Sequence, residues 1–300
     1  MARASSIPTQ PLPSPSAILE LFKPITWFPP MWAFLCGVVS VGVGLGESWP
    51  LLLAGVVLAG PLVCATSQAV NDWFDRHVDA INEPHRPIPS GRIPGRWGLW
   101  LAITWTVVSL AVATVLGPWG FAAAVVAMLM AWAYSAPPLR LKQNGWWGNS
   151  ACAICYEGLP WFTAAAVLTS AFPDWRIVAI AALYSAGAHG IMTLNDFKSI
   201  EGDRRLGLGS LPVRLGPERA ARLACWVMAL PQVAVVALLW HWERPVHALA
   251  IAAVLCVQVV LMRRLLGDPR ARAPWYQATG VSLYVSGMLI AAFGLRGLWA

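Results

Sequence analysis

Seven of the fourteen acidic residues of this chain fall in two short stretches: Asp72, Asp75, Asp79 and Glu83, then Asp196, Glu201 and Asp203. Each stretch opens on Asn-Asp, at Asn71 and at Asn195, and the second lies 124 residues after the first. At about 100° of turn per helical residue, Asn71, Asp75 and Asp79 share one stripe, and Asp196, Ser199 and Asp203 share another. Asp72 sits a full step away from Asn71, and Glu201 points off its stripe. Like charges on one helix face repel and stay together where a cation neutralises them. Oxygen donors without His or Cys suit Mg²⁺, which takes few carboxylates and keeps water or phosphate oxygens. Two facing clusters of this kind would seat a Mg²⁺–diphosphate, with Asn71, Asp72, Asp75, Asp79, Asp196 and Asp203 as metal ligands. The competing readings are solvated helix caps paired with nearby arginines, and an ion pathway through the membrane.

Basic residues beside these acids could hold phosphate oxygens through charge-assisted hydrogen bonds. Arg76, Arg86, Arg204 and Arg205 are candidates, and Lys142, after the turn Pro137-Pro138, and Lys198, inside the second stretch, are the strongest. Each of them reads equally well as a topogenic loop charge.

The elements that carry these residues must be membrane helices. The chain is 58% hydrophobic and 12% charged, with a mean hydropathy of +0.60. These values exclude a water-soluble domain, a disordered chain, a disulfide-stapled scaffold and a collagen. A helix needs about 20 apolar residues to cross the hydrocarbon. Nine stretches satisfy that length, at 25–45, 50–70, 98–116, 119–135, 147–169, 175–195, 220–240, 246–263 and 275–295. The fold class expected is all-α, a polytopic membrane protein of nine transmembrane helices. Residues 1–19, rich in Ser and Pro, read as a disordered cytoplasmic tail, and residues 20–300 as one domain. With the N-terminus cytoplasmic, 18 of the 21 Lys and Arg residues fall on the inner side and only Arg176, Arg244 and Arg296 outside. This asymmetry obeys the positive-inside rule, so the net charge of +7 reports topology and needs no nucleic acid. Both acidic stretches end an even-numbered span, which suggests a parallel repeat of spans 1–4 and 5–8. The six cysteines lie nearly all in apolar runs, and Cys152-x-x-Cys155 reads as packing rather than as a metal site.

The run Asn71-Asp72-x-x-Asp75-x-x-x-Asp79 resembles the first acidic motif of the UbiA-type intramembrane prenyltransferases. Tyr134 to Lys142 (YSAPPLRLK) resembles their interior loop, and Asn195 to Asp203 their second motif. The longer texts NDWFDRHVDAINEPHRPIPSGRI (71–93) and NDFKSIEGDRRLGLGSLPVRLG (195–216) are similar to the chlorophyll synthase branch of that family. The resemblance covers nearly all of 20–295. Many relatives outside the branch carry Asp where Ser199 stands, which raises the question of Glu201 as a substitute ligand.

The resemblance implies nine helices around a central cavity under a cytoplasmic cap, in a bacterial inner or intracytoplasmic photosynthetic membrane. It implies transfer of a C20 prenyl group, geranylgeranyl or phytyl, from its diphosphate to the propionate carboxylate of bacteriochlorophyllide a, with Mg²⁺. Asp75, Asp79, Asp196 and Asp203 would be catalytic through the metal; Arg86, Lys142, Lys198 and Tyr134 would contact substrate. Membrane lipid, and other pigment-biosynthesis or photosynthetic-assembly proteins, are the partners it admits. His189, seven residues before Asp196, is expected to share its face, to point into the same cavity and to meet the macrocycle or its metal. Glu157 sits near mid-span, a functional position by default. Rival readings are a prenyltransferase acting on a quinone precursor or haem, a cation-coupled transporter with acids at the bilayer midplane, and a pigment-binding scaffold without catalysis.

Overall fold

A computed structural model describes residues 12–42 and 46–298, and all its regular elements there are helical. In chain order they are α1 (Pro15–Phe22), α2 (Phe28–Val41), α3 (Trp49–Asn82), α4 (Trp97–Ala113), α5 (Gly117–Ser135), α6 (Gly145–Thr169), α7 (Trp175–Asn195), α8 (Pro217–His241), α9 (Pro245–Gly267) and α10 (Pro269–Leu295). Two short helices, Ile200–Arg205 and Leu211–Leu215, lie between α7 and α8.

Seven helical stretches among the described residues are long and apolar enough to cross a membrane, and α1 with α2, bent by 53°, makes an eighth. One of the seven is Trp97–Ser135, 39 residues long. As a straight helix it would measure about 58 Å, near twice the hydrocarbon thickness. Its two ends instead meet the same neighbour. Gly98 packs on Trp73, and the Asn71 amide donates to Ser135 Oγ at 3.3 Å. The stretch therefore folds back at Gly117-Pro118 into the hairpin α4–α5, and the nine expected spans each have a helix.

The tail expectation needs correction. Residues 1–11 lie outside the described residues, but 15–19 are helical. Ser14 Oγ accepts from Ala17 N–H and Pro15 occupies the first turn, both helix-start signals. Ala17, Leu21 and Phe22 are buried in a cluster with Ala65, Ala69 and Val70 of α3 and Leu101 and Ala102 of α4.

Helix α3 positions the first motif by sheer length. Its 34 residues span about 51 Å, so the helix overshoots the hydrocarbon and carries residues 71–79 to the membrane edge. Pro61, which has no N–H to give the helix, sits in a π-helical segment, Leu58–Cys64, and its own carbonyl accepts from the Trp105 indole at 3.1 Å. A second π segment, Ile154–Gly158, interrupts α6.

The main buried cluster joins α2, α6, α7, α8, α9 and α10, and in it Tyr184, Tyr276 and Tyr284 are fully buried. Tyr284 Oη donates to the Tyr184 carbonyl at 2.6 Å, and Gln232 and Gln258 form a reciprocal amide pair at 3.0 and 3.2 Å. The cap over the site is tied down at two places. Arg92 bridges the loop after α3 to Glu20 of α1 and to the His85 carbonyl. Gly145 N–H donates to the Gly209 carbonyl and Gly209 N–H to the Gln143 carbonyl, at 2.8 and 3.0 Å. A Cβ at Gly145 would stand 2.5 Å from Leu211 N, so this approach requires glycine.

Candidate active site at the cavity mouth

A cavity of about 590 Å³ opens where both motifs end. Its depth is apolar, lined by Ala59, Val63, Ala127, Met130, Ile191 and Val281; its mouth holds Asn71 and Asn195 with Lys23, Arg86 and Lys198. Between these levels lie Thr26, Cys64, Gln68 and Tyr156, where the Gln68 amide donates to Tyr156 Oη at 3.3 Å. Tyr134 also lines the cavity, as the interior-loop motif implied. No His, Asp or Glu among the described residues lines it. Cys152 and Cys155 lie in its wall, and all six cysteines are free thiols.

The first motif is an ion-pair network. Asp72 is buried and accepts from Lys23 Nζ at 2.7 Å, with Arg86 at 3.5 Å. Arg86 also bonds Asp79 at 2.9 Å. Asp75 pairs with Lys142 and, at 3.3 Å, with Arg140. Burial works against the Arg86 charge, but Asp72 and Asp79 outweigh it and hold its pKa above the ordinary arginine value. Burial pulls the Lys142 ammonium below the ordinary lysine value against the opposing pull of Asp75. Arg86 lines the cavity and Lys142 does not.

The second motif is built differently. Helix α7 stops at Asn195, a 3₁₀ turn covers Asp196–Lys198, and Ser199 precedes the short helix Ile200–Arg205. The continuous stripe expected through Asp196, Ser199 and Asp203 is thus broken. Asp196 accepts from the Asn149 amide at 3.1 Å, and Asp203 accepts from Ser199 Oγ at 2.9 Å. Neither forms a salt bridge among the described residues. Lys198 reaches the cavity. Glu201 is exposed and pairs with Arg204 at 3.0 Å, so it does not stand in for an acid at Ser199. Arg205 also lies nearest Glu201, and Arg76 folds over Trp73 at 4.1 Å; none of these three arginines lines the cavity.

His189 departs from expectation. It shares a stripe with Thr193 and Asp196, as the spacing of seven requires, but that stripe faces α6. Asn149 bonds both Thr193 and Asp196, and His189 Nε2 meets the Trp146 carbonyl at 3.3 Å. The cavity is lined instead by the neighbouring stripe Ile191, Met192, Asn195 and Lys198. Helical spacing says which residues share a face; it does not say which neighbour that face meets.

Lys23, in sequence only one of the inner-side charges, is a residue of the site: it lines the cavity and pairs with Asp72. It sits in the left-handed region, with φ of 46°, at the bend between α1 and α2. The signal available was its place in Lys23-Pro24, directly before the first span. Arg140, at φ 39°, and Asn149, an amide buried in an apolar helix, are further residues that hold the acids.

The donor set fits a hard divalent cation in one respect and constrains it in another. All candidate ligands are oxygens, and Asp72 Oδ2 is buried without a hydrogen-bond partner. No three His, Cys, Asp or Glu side chains among the described residues converge on one point. That suits an ion which takes only one or two carboxylates and completes its shell with substrate phosphate.

A family model for the UbiA prenyltransferase family matches residues 29–293. The chain is 62% identical over 293 residues to the bacteriochlorophyll synthase 33 kDa chain of Cereibacter sphaeroides, covering 98% of this chain and 97% of that one. It is 39% identical to the chloroplastic chlorophyll synthase of Oryza sativa subsp. japonica, over 91% of this chain and 75% of that one. A UbiA homolog from Archaeoglobus fulgidus, solved bound to GPP and Mg²⁺, superposes with a TM-score of 0.72 at 21% identity, over 91% of this chain and 99% of that one. The chain belongs to the UbiA prenyltransferase family and has its all-helical membrane fold.

Proposed function

We propose that this chain transfers a C20 prenyl group from its diphosphate to the propionate carboxylate of bacteriochlorophyllide a, and that the reaction runs at the mouth of the 590 Å³ cavity. The activity follows the bacteriochlorophyll synthase relative, which matches nearly the whole chain. The observation that supports its place is one cavity with two ends: amides and cations from both motifs at the mouth, apolar side chains below. A prenyl diphosphate has that same polarity.

The residues divide the work accordingly. Lys23, Arg86 and Lys198 meet the non-bridging oxygens and stabilise charge on the leaving group. Asn71, Asp72, Asp75 and Asp79 on one side and Asp196 and Asp203 on the other would hold Mg²⁺, Asp72 through its unpartnered Oδ2. That metal supplies Lewis-acid neutralisation of the diphosphate. The allylic C–O bond breaks with its electron pair going to the diphosphate, and an oxygen of the acceptor carboxylate closes on the allylic carbon. Ala59, Val63, Met130 and Ile191 exclude water from the cationic carbon. A carboxylate is already ionised near neutral pH, so this acceptor needs no base. An aromatic-ring acceptor would have to shed a ring proton as well. The asymmetry of Lys and Arg supports a cytoplasmic N-terminus, and the bacterial source of the bacteriochlorophyll synthase relative supports a bacterial inner membrane.

The test is purified protein with Mg²⁺, geranylgeranyl diphosphate and bacteriochlorophyllide, read by chromatography of the ester. Esterified pigment is expected, and its amount should fall with Asp75→Ala and with Asp196→Ala. Turnover of 4-hydroxybenzoate without esterified pigment would instead select the quinone-precursor reading.

A further inference from the structure

A second cavity, of about 500 Å³, lies on the opposite face of α6 from the reaction cavity. Ala151, Cys152 and Cys155 face the reaction cavity; Trp146, Ile154 and Phe162 face this groove, whose far wall is α7. Ile154, Ala182 and Ala186 are exposed there, so the groove opens on the outer wall of the bundle, where lipid would stand. Gly158 and several alanines and serines keep it wide, and no Asp, Glu, Lys or Arg among the described residues lines it. The volume is that of a small-molecule site.

One group in this groove is out of keeping with lipid contact. His189 lines it and is 5% exposed. Its Nε2 faces the Trp146 carbonyl at 3.3 Å, an acceptor, so the ring donates there and its proton is on Nε2. Nδ1 then carries the free lone pair, and it is buried with no hydrogen-bond partner. A ring N–H given to a backbone carbonyl, with the other nitrogen left bare, is the arrangement of a metal-ligating histidine. Trp146 packs on the ring at 4.6 Å between centroids and fixes its place.

We infer that this groove holds one magnesium tetrapyrrole, with His189 Nδ1 as the axial ligand of the central metal, as a pigment site separate from the reaction cavity. The inference rests on the acceptor and product class given under Proposed function. An uncharged apolar slot accepts the macrocycle, and its one uncommitted base meets the one Lewis acid such a ligand carries. A lipid chain would use the slot but leave Nδ1 bare. Lateral opening lets a membrane-dissolved pigment enter or leave without crossing the diphosphate site.

The test uses the full chain in nanodiscs with three probes: bacteriochlorophyllide, its zinc-substituted form and its metal-free form. Binding is measured by equilibrium dialysis, and axial ligation by the shift of the pigment's visible band. Wild type should bind the two metallated forms at least about tenfold more tightly than the metal-free one, a difference of about 1.4 kcal/mol, and show the band shift. His189→Leu should erase both the preference and the shift. Ala186→Trp, which fills the groove from its exposed rim and leaves His189 in place, should do the same, and it decides the matter should His189→Leu fail to fold. Equal binding of all three forms by wild type, or a preference and shift that survive either folded variant, would overturn the inference. Ester formation is read in parallel: its absence in wild type contradicts the activity, whereas its persistence with no metal preference contradicts only this groove.

Discussion

The two acidic motifs end at one cavity but are neutralised in opposite ways. Around the first, Lys23, Arg86, Arg140 and Lys142 pair with Asp72, Asp75 and Asp79. Around the second, Asp196 and Asp203 rest on an amide and a hydroxyl, and Lys198 is turned to the cavity instead. The first motif is therefore a seat in which cations of the protein already compensate the carboxylates, and a divalent ion must displace or share them. The second has the more to gain from an added ion, since its acids have no salt bridge among the described residues. In this account the first motif presents cations to the diphosphate as its carboxylates turn to metal, and the second contributes unpaired carboxylate.

Several experiments break or sharpen this contrast. Chelating divalent cations should have the largest effect and abolish ester formation, with recovery on adding back Mg²⁺; turnover that continues in excess chelator would remove the metal from both motifs. Next, Asp75→Ala and Asp196→Ala should each lower kcat/KM by about 10²–10³-fold, the scale of losing one well-placed electrostatic element. Activity does not separate the two motifs, but thermal unfolding does. Asp75→Asn strands the buried Lys142, a loss of about 3 kcal/mol on the scale of broken buried pairs, whereas Asp196→Asn keeps its hydrogen bond with Asn149 and should unfold near the wild-type temperature. Equal melting temperatures for the two variants would erase the distinction. Lys23→Met should raise KM for the prenyl diphosphate about tenfold, the loss of one charge-assisted bond at about 1.5 kcal/mol; an unchanged KM would leave Lys23 as the partner of Asp72 and not a diphosphate contact. Glu201→Ala should be the mildest, within about 0.5 kcal/mol in stability, as for exposed substitutions, and with unchanged turnover.

Much of this arrangement was legible in the sequence, for identifiable reasons. The spans follow from apolar length alone, and even the tight hairpin α4–α5 is announced by Gly117-Pro118. The stripe Asn71, Asp75 and Asp79 holds because α3 is unbroken there. The second stripe failed because Asp196–Lys198 is a 3₁₀ turn with no Gly or Pro to announce it; the only hint is Ser199, an N-cap residue type, before Ile200–Arg205. The Ser and Pro content of residues 1–19 masks helix α1, although Ser14-Pro15 is a start signal. The spacing of His189 gives its stripe but not the neighbour that stripe meets, because packing partners are not encoded in a single helix's periodicity. The role of Lys23 is not legible locally, because it arises from a partner 49 residues away.

The most direct test of the central claim is crystallographic: the protein with Mn²⁺ in place of Mg²⁺ and a non-reactive prenyl thiodiphosphate, read by anomalous scattering. Metal peaks touching the diphosphate from both the Asn71/Asp75/Asp79 side and the Asp196/Asp203 side, with the prenyl chain in the apolar cavity, are the result the account predicts. A diphosphate whose metal is held by one motif alone, or one bound away from the mouth formed by Lys23, Arg86 and Lys198, would contradict it.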